Sequence, residues 1–269
     1  MTQGRVLIVA GSDSGGGAGI QADIKTVTAL GGFAMTAISA LTAQNTQGVH
    51  AIHDVPADFV AEQMRVVLED LGADCIKIGM IHRVDVINAV ADALDKYGAG
   101  IPLVVDTVMV AKGGAKLLAD EAVGTLKARL ISRANLITPN IPEAEVLTAT
   151  KITTDEQAAE AGRQLMTLGP AAVLMKGGHL EGPQVTDLLI EESGETRFEG
   201  PRLETRHTHG TGCTLASACA TGIAQGLSVH DAVARAREYV FEAIRTAPGL
   251  GHGHGPLNHG HTIRSTQVQ

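Results

Sequence analysis

Tryptophan is absent from this 269-residue chain, and aromatic rings are few, with two tyrosines and four phenylalanines. Nucleobase stacking on aromatic platforms therefore has little to build on. Runs of lysine and arginine are missing as well. The 21 basic residues are outnumbered by 29 acidic ones, for a net charge of −8, which argues against a nucleic-acid partner. Only three cysteines occur, Cys75, Cys213 and Cys219, far apart and odd in number. They form neither a disulfide framework nor a zinc-binding pattern, and they suit a reducing, cytoplasmic setting. Long apolar runs are lacking too. VLIVAG after MTQGR is too short for a signal peptide, and no later segment can span a bilayer, so no membrane partner is expected. Internal repeats and low-complexity linkers do not appear.

The hydrophobic content, 44%, is ample for a core in one large domain or two modest ones. Short β-branched runs alternate with longer stretches of helical period. Strands are expected at Arg5–Ala10, Phe33–Leu41, Cys75–Ile78, Leu103–Asp106, Leu136–Thr138 and Ala172–Met175. Helices are expected at Ile20–Leu30, Asp58–Leu71, Val84–Tyr97, Asp120–Ile131, Thr154–Leu168, Thr214–Ala224 and Val229–Thr246. This alternation predicts an α/β fold, a mainly parallel sheet with helices on both faces. Thr186–Glu191 and Glu195–Phe198 flank Ser193-Gly194 and predict an antiparallel hairpin. In such sheets ligands bind beyond the carboxyl ends of the strands. The segments there are Gly11–Gly19, Gln44-Asn45, Gly79-Met80, Asp106-Thr107, Asn140–Glu143 and Lys176-Gly177-Gly178, polar or glycine-rich as one shared cleft requires.

The first of these, VAGSDSGGGAGI, fits neither common nucleotide fingerprint. Gly11 and Gly16 have the Walker A separation, but Gly17-Ala18 stands where lysine and a hydroxyl belong. Gly15-x-Gly17 is followed by Ile20 rather than the third glycine of a dinucleotide loop. A plain flexible turn stays open, although Asp23, within the first turns of the following helix, can face a ligand. Farther on, His209-Gly210-Thr211-Gly212-Cys213-Thr214 leads into a helix, where backbone N–H groups and the helix dipole make an anion hole. A thiol there should ionise more readily than a free cysteine; a buried structural cysteine is the alternative. Asn140-Ile141-Pro142-Glu143 offers an amide and a carboxylate at a helix start. They either complement the helix dipole or face a magnesium-bound phosphate through water. Lys176 closes a strand and either is solvated or pairs with a phosphate. The histidine-rich tail from Gly251 to His261 invites a metal-binding reading. Its interleaved glycines leave ligands poorly preorganised, and a structural or cleft-covering loop is the preferred reading.

Eight stretches occur in order: GSDSGGGAGIQADIKT (11–26), ALTAQNTQGV (40–49), KIGM (77–80), DTVMVAKGG (106–114), LITPNIPEAEVL (136–147), LMKGGH (174–179), THGTGCTL (208–215) and GHGPLNH (253–259). In these the chain resembles the ribokinase-like small-molecule kinases, and among them the hydroxymethylpyrimidine/phosphomethylpyrimidine kinases of thiamine biosynthesis. The resemblance runs almost end to end. It implies one three-layer αβα ribokinase-like domain over 1–269, a homodimer, ATP and Mg²⁺, and two successive phosphorylations of an aminopyrimidine. By position it implies a pyrimidine pocket of Gly11, Asp23, Gln44, Met80 and Val108. Gln44 would serve as paired donor and acceptor, with the Met80 backbone assisting. It puts Asn140 and Glu143 on magnesium and phosphates, Lys176 and Asp106 near the phosphates, and Gly210, Thr211 and Gly212 in the anion hole. Cys213 stands where most ribokinase relatives carry an aspartate base.

Departures are small. Thr107 stands where many relatives have proline, His207 where asparagine is frequent, and Ala115-Lys116 departs from the usual residues after the glycines. A pyridoxine or pyridoxal kinase of the same fold is the nearest rival. A nicotinamide-dependent oxidoreductase rests on the broken glycine motif, and a metal-binding protein on the histidine tail alone.

Overall fold

A computed structural model describes residues 3–109 and 120–263; the Ala115-Lys116 departure and the end of the DTVMVAKGG stretch lie outside them. One sheet of nine strands, in the order β3-β2-β1-β4-β5-β6-β7-β8-β9, organises the chain. The strands are β1 (Arg5–Asp13), β2 (Phe33–Asn45), β3 (Gly48–Asp54), β4 (Cys75–Ile78), β5 (Leu103–Val105), β6 (Leu136–Ile137), β7 (Ala172–Met175), β8 (Gln184–Glu191) and β9 (Gly194–Pro201). Pairing is parallel from β2 through β7 and antiparallel for β2–β3, β7–β8 and β8–β9. The central strands are short and buried along their whole length, as helix-covered parallel strands must be.

The helices are α1 (Gly19–Ala29), α2 (Ala57–Asp70), α3 (Val84–Tyr97), α4 (Asp120–Arg129), α5 (Ile141–Thr148), α6 (Asp155–Met166), α7 (Thr211–Ala224) and α8 (Val229–Arg245). They form two layers. On one face, α2 to α6 pack through residues such as Met64, Val90, Leu126, Leu147 and Leu165 against Leu7, Ile76 and Ile137. On the other, α1, α7 and α8 cover Val6, Ile8, Cys75 and Leu174. The architecture is a three-layer αβα sandwich, as the resemblance implies. Among the described residues, no helix is long and apolar enough to cross a membrane.

Three differences from the sequence expectation bear on the site. The chain after β2 forms a further strand, β3, so β2 runs to Asn45 and carries Gln44 in a strand paired with the edge strand β3 rather than in a loop. β1 likewise runs to Asp13, with an irregularity between Ala10 and Ser12 where it pairs β2. Bulges of this kind re-aim a strand end beside a site. α7 begins at Thr211, three residues before the expected Thr214, which places Cys213 in its first turn.

Candidate active site

Beyond the carboxyl ends of β1 and β4 to β7 lies a cavity of about 910 Å³. After β1, β2, β4 and β5 its lining includes Gly11, Thr42, Gln44, Met80 and Val108. Toward β8 and β9 the lining turns apolar, with Val185, Phe198, Val240, Phe241 and Ile244. Because β5 to β7 separate β1 and β2 from β8 and β9 in the sheet, the polar groups at their ends stand in between: Asp106, Asn140, Glu143 and Lys176. Gly210 to Cys213 complete the lining. Of the residues singled out in the sequence, twelve line this cavity and Asp23 does not.

The glycine-rich first loop turns its amides inward. Asp13 accepts from the N–H groups of Gly15 (2.8 Å), Gly17 (3.1 Å) and Ala18 (2.8 Å). It also accepts from His209 Nε2 at 2.8 Å. Burial pushes the Asp13 carboxyl up, but His209 and the amides outweigh it and hold it below the usual range. The loop is thus a nest filled by the chain's own carboxylate, which leaves those three donors unavailable to a phosphate. What it presents to the cavity is close backbone. A Cβ at Gly11 would overlap Met80 Cε, so only glycine lets the Met80 thioether lie against β1. The Met80 carbonyl already accepts from Ser39 Oγ at 2.7 Å, so the apolar side chain is the larger part of its contribution. Gln44 Oε1 accepts from Thr42 Oγ1 at 3.1 Å, and its Nε2 lies 3.4 Å from His209 Nε2.

α7 begins at the stretch expected to form an anion hole. Its N-cap, Gly210, sits at φ +85°, and no side chain caps the helix. A Cβ on Gly210 would overlap the Gly17 carbonyl oxygen, so the hole and the first loop touch backbone to backbone. Lys176 Nζ crosses just above Gly212 and donates to Asp106 Oδ1 at 3.1 Å, 3.9 Å from Glu143 Oε2. Burial works against the lysine's charge, yet Asp106 and Glu143 outweigh it and keep its pKa raised. The Asn-x-x-Glu motif is a capping box. Asn140 Oδ1 accepts from the Glu143 N–H, and Glu143 Oε2 from the Asn140 N–H, each at 2.9 Å. Thr107 Oγ1 adds a second donor to the Glu143 carboxylate, at 3.0 Å. The pair caps α5, and Glu143 also lines the cavity, its carboxyl raised by burial despite Lys176.

Cys213 lines the cavity half-buried. The expectation of an easily ionised thiol is not met. Burial pushes it up to about 12, only partly opposed by Lys77, with Asp23 and Asp106 adding to the rise. The helix terminus is outweighed by desolvation and two carboxylates. Asp23 stands behind the cavity, fully buried, and accepts from Lys77 Nζ at 2.9 and 3.0 Å and from Ser217 Oγ at 2.6 Å. Burial raises its carboxyl, but donors on both oxygens are satisfied only by a carboxylate, so the pair is ionic. Sequence reasoning missed Lys77. Its signal was a lysine inside the otherwise apolar strand Cys75–Ile78, where a buried charge demands a partner.

The histidine-rich tail is a strap. His254 N–H donates to the Thr46 carbonyl at 2.8 Å, beside the β2–β3 turn, and His209 bridges to Pro256. His259 Nε2 lies 2.9 Å from Thr214 Oγ1 in the first turn of α7. Among the described residues, no group of three histidine, cysteine or acidic side chains is placed to hold a metal.

The family model for phosphomethylpyrimidine kinase matches residues 13–258. The chain is 52% identical over 257 residues to the thiamine biosynthesis bifunctional protein ThiED of Geobacter sulfurreducens, covering 96% of this chain but only 52% of that longer protein. It is 48% identical over 256 residues to the hydroxymethylpyrimidine/phosphomethylpyrimidine kinase of Bacillus subtilis, covering 95% and 94% of the two chains. Among solved structures, phosphomethylpyrimidine kinase from Clostridium difficile is similar at 41% identity and a TM-score of 0.80, covering 89% of this chain and 99% of that one. Staphylococcus aureus pyridoxal kinase in complex with AMP-PCP and pyridoxal has a TM-score of 0.90 at 29% identity, covering 98% and 96%.

Proposed function

The chain belongs to the phosphomethylpyrimidine kinase family, and we propose that the cavity described above divides into an acceptor wall and a donor wall for its reaction. The protein is an ATP-dependent kinase of thiamine biosynthesis. It phosphorylates the hydroxymethyl group of an aminopyrimidine and then the resulting monophosphate. The acceptor ring lies against Gly11, Gln44, Met80 and Val108, where Gln44 offers a donor and an acceptor to ring nitrogen and exocyclic amine. The adenine end of ATP lies in the apolar region around Val185, Phe198 and Ile244. Its phosphates reach the uncapped amides of α7, flanked by Lys176. The observation that carries this division is the backbone contact of Gly17 with Gly210, which sets the first loop directly against the start of α7.

In the first step the hydroxymethyl oxygen forms a bond to the γ-phosphorus as the bond to the ADP oxygen breaks, and the hydroxyl proton passes to Cys213 in its thiolate form, which becomes the neutral thiol. In the second step the acceptor is a phosphate monoester with a second pKa of about 6, ionised already, so no base is required. Positioning and charge stabilisation carry both steps, as is general for phosphoryl transfer. Among the described residues, buried Asp106 Oδ2 has no hydrogen-bond partner, and Glu143 stands near the same lysine. Two hard oxygen donors of this kind fit Mg²⁺ whose remaining ligands are phosphate and water. The ion supplies neutralisation of phosphate charge when bound. Three free thiols suit the cytoplasm, and a homodimer is the assembly the family resemblance leads us to expect.

Single-turnover assays of Cys213→Ala test the reading. Loss of a general base costs roughly 10²–10⁴-fold, and that loss should fall on the first phosphorylation and spare most of the second. Equal losses in both would refute the role. Pyridoxal, run as a competing acceptor, should turn over more slowly than the pyrimidine.

A further inference from the structure

His209 directly precedes the N-cap of α7, and its ring touches both the first loop and Gln44 of β2. It is buried together with Asp13, and both line the cavity beside Gln44 and Thr42. Gly17 leaves the space that the ring fills, since a Cβ there would come within 2.5 Å of His209 Cδ2. The backbone is held as well, because the His209 N–H donates to the Gly255 carbonyl at 3.1 Å.

The hydrogens around this ring can be assigned one by one. Asp13 accepts from three loop amides, and those bonds together with His209 hold it ionised. A carboxylate has no hydrogen to give, so the proton of the 2.8 Å bond sits on His209 Nε2. That nitrogen then has no lone pair for Gln44 Nε2, itself a donor, 3.4 Å away. The other end of the amide meets the same conflict. Thr42 Oγ1 has a single hydrogen, and the Ser12 carbonyl takes it at 2.7 Å, ahead of Gln44 Oε1 at 3.1 Å. A half-turn of the amide exchanges its oxygen and nitrogen without changing its shape, and it removes both conflicts. The Gln44 amino group then donates to Thr42 Oγ1, and its oxygen faces the His209 N–H.

We propose that Asp13 and His209 are positioning residues that lock the Gln44 amide with its carbonyl toward α7 and its amino group toward Thr42, and thereby set which acceptor binds and which way round. This rests on the reading that the acceptor ring lies against Gln44. An aminopyrimidine carries a donor, its amine, beside an acceptor, its ring nitrogen. The locked amide pairs its carbonyl with the amine on the α7 side, and its amino group with the ring nitrogen on the Thr42 side. The hydroxymethyl group is attached next to the amine and away from that nitrogen, so it points toward α7. The reversed amide would turn the ring end for end and direct the hydroxymethyl group away from α7.

The 4-oxo analogue of the aminopyrimidine, with a ring N–H and a carbonyl, keeps the shape and reverses the pattern. The ratio of kcat/KM for the amine over the oxo compound reads the lock, because damage to folding or to phosphate positioning affects both acceptors alike. In the wild type the ratio should be roughly 100 or more, and a ratio near one would overturn the proposal. His209→Leu, with folding checked by thermal melts, removes the N–H donor and should lower the ratio about tenfold or more. His209→Gln carries an N–H donor at similar reach and should stay within about threefold of the wild type. Gln44→Ala should abolish the preference. A ratio kept in Gln44→Ala would overturn the reading of Gln44 as the ring's partner. A ratio lost there but kept in folded His209→Leu would overturn the lock alone. In the unsubstituted enzyme the ¹⁵N shifts of His209, assigned by their loss in His209→Gln, should show the proton on Nε2. A bare Nε2 would overturn the proposal without reference to turnover.

Discussion

Gly210→Ala is the perturbation whose size follows most directly from the geometry. Gly210 sits at φ +85°, and its missing Cβ makes room for the Gly17 carbonyl oxygen. Two costs arise. A non-glycine residue held in the left-handed region costs about 1–3 kcal/mol, equivalent to a Tm loss of roughly 2–12 °C for a chain of this size. Separately, the overlap forces the first loop and the anion hole apart by on the order of 1 Å, and a misplacement of that size can cost about 100-fold in rate. Gly226→Ala separates the two, because Gly226 has φ +90° and nothing within 4 Å of its Cβ position. Coupled ADP-release kinetics and thermal melts should show a loss of stability in both variants, larger in Gly210→Ala, whose Cβ also meets the Gly17 backbone. Only Gly210→Ala should lose about 100-fold in kcat/KM. If Gly210→Ala stays within threefold of Gly226→Ala, the contact between the two walls does not matter and the reasoning fails.

Gln44→Ala should raise the KM for the pyrimidine roughly tenfold to a hundredfold, as expected for a lost hydrogen-bonding partner of about 1–3 kcal/mol, with the KM for ATP unchanged. A matching rise for ATP would place Gln44 elsewhere. Burial, with Lys25 and His261 adding to it, pushes the buried His259 down to about 4 from its ordinary 6.5. The unfolded chain therefore binds this proton first, so the imidazole's contribution is complete above pH 6.5 and is lost as pH falls through about 4. His259→Gln should flatten the Tm profile between those values; an unchanged slope would show that His259 does not set it.

Where side chains repeat along one face the sequence was transparent. Cys75–Ile78 and Val84–Tyr97 fall at the positions their apolar patterns predict, and the strand ends named from alternation converge on one cavity. β3 was invisible because Gly48–Asp54 is a mostly exposed edge strand, with histidines and no buried stripe to reveal it. Its pairing to β2 is a tertiary fact. Asp23 was legible as a carboxylate near a ligand loop, but the burial that turns it toward Lys77 comes from α7, 194 residues away at Ser217. The first loop's composition excluded a Walker motif; that its amides close on Asp13 depends on His209, brought in from the far end of the chain. Cys213 was placed correctly at a helix start, yet its ionisation is set by packing and by neighbouring carboxylates, which no local pattern carries.

A crystal structure with hydroxymethylpyrimidine and AMP-PCP bound tests the central division most directly. The γ-phosphate should lie at the amides of Gly212 and Cys213 beside Lys176, with the ring against Gly11, Gln44 and Met80 and its hydroxymethyl oxygen within reach of the Cys213 sulfur. Phosphates held by the loop from Gly15 to Ala18, with Asp13 displaced from its amides, would contradict it.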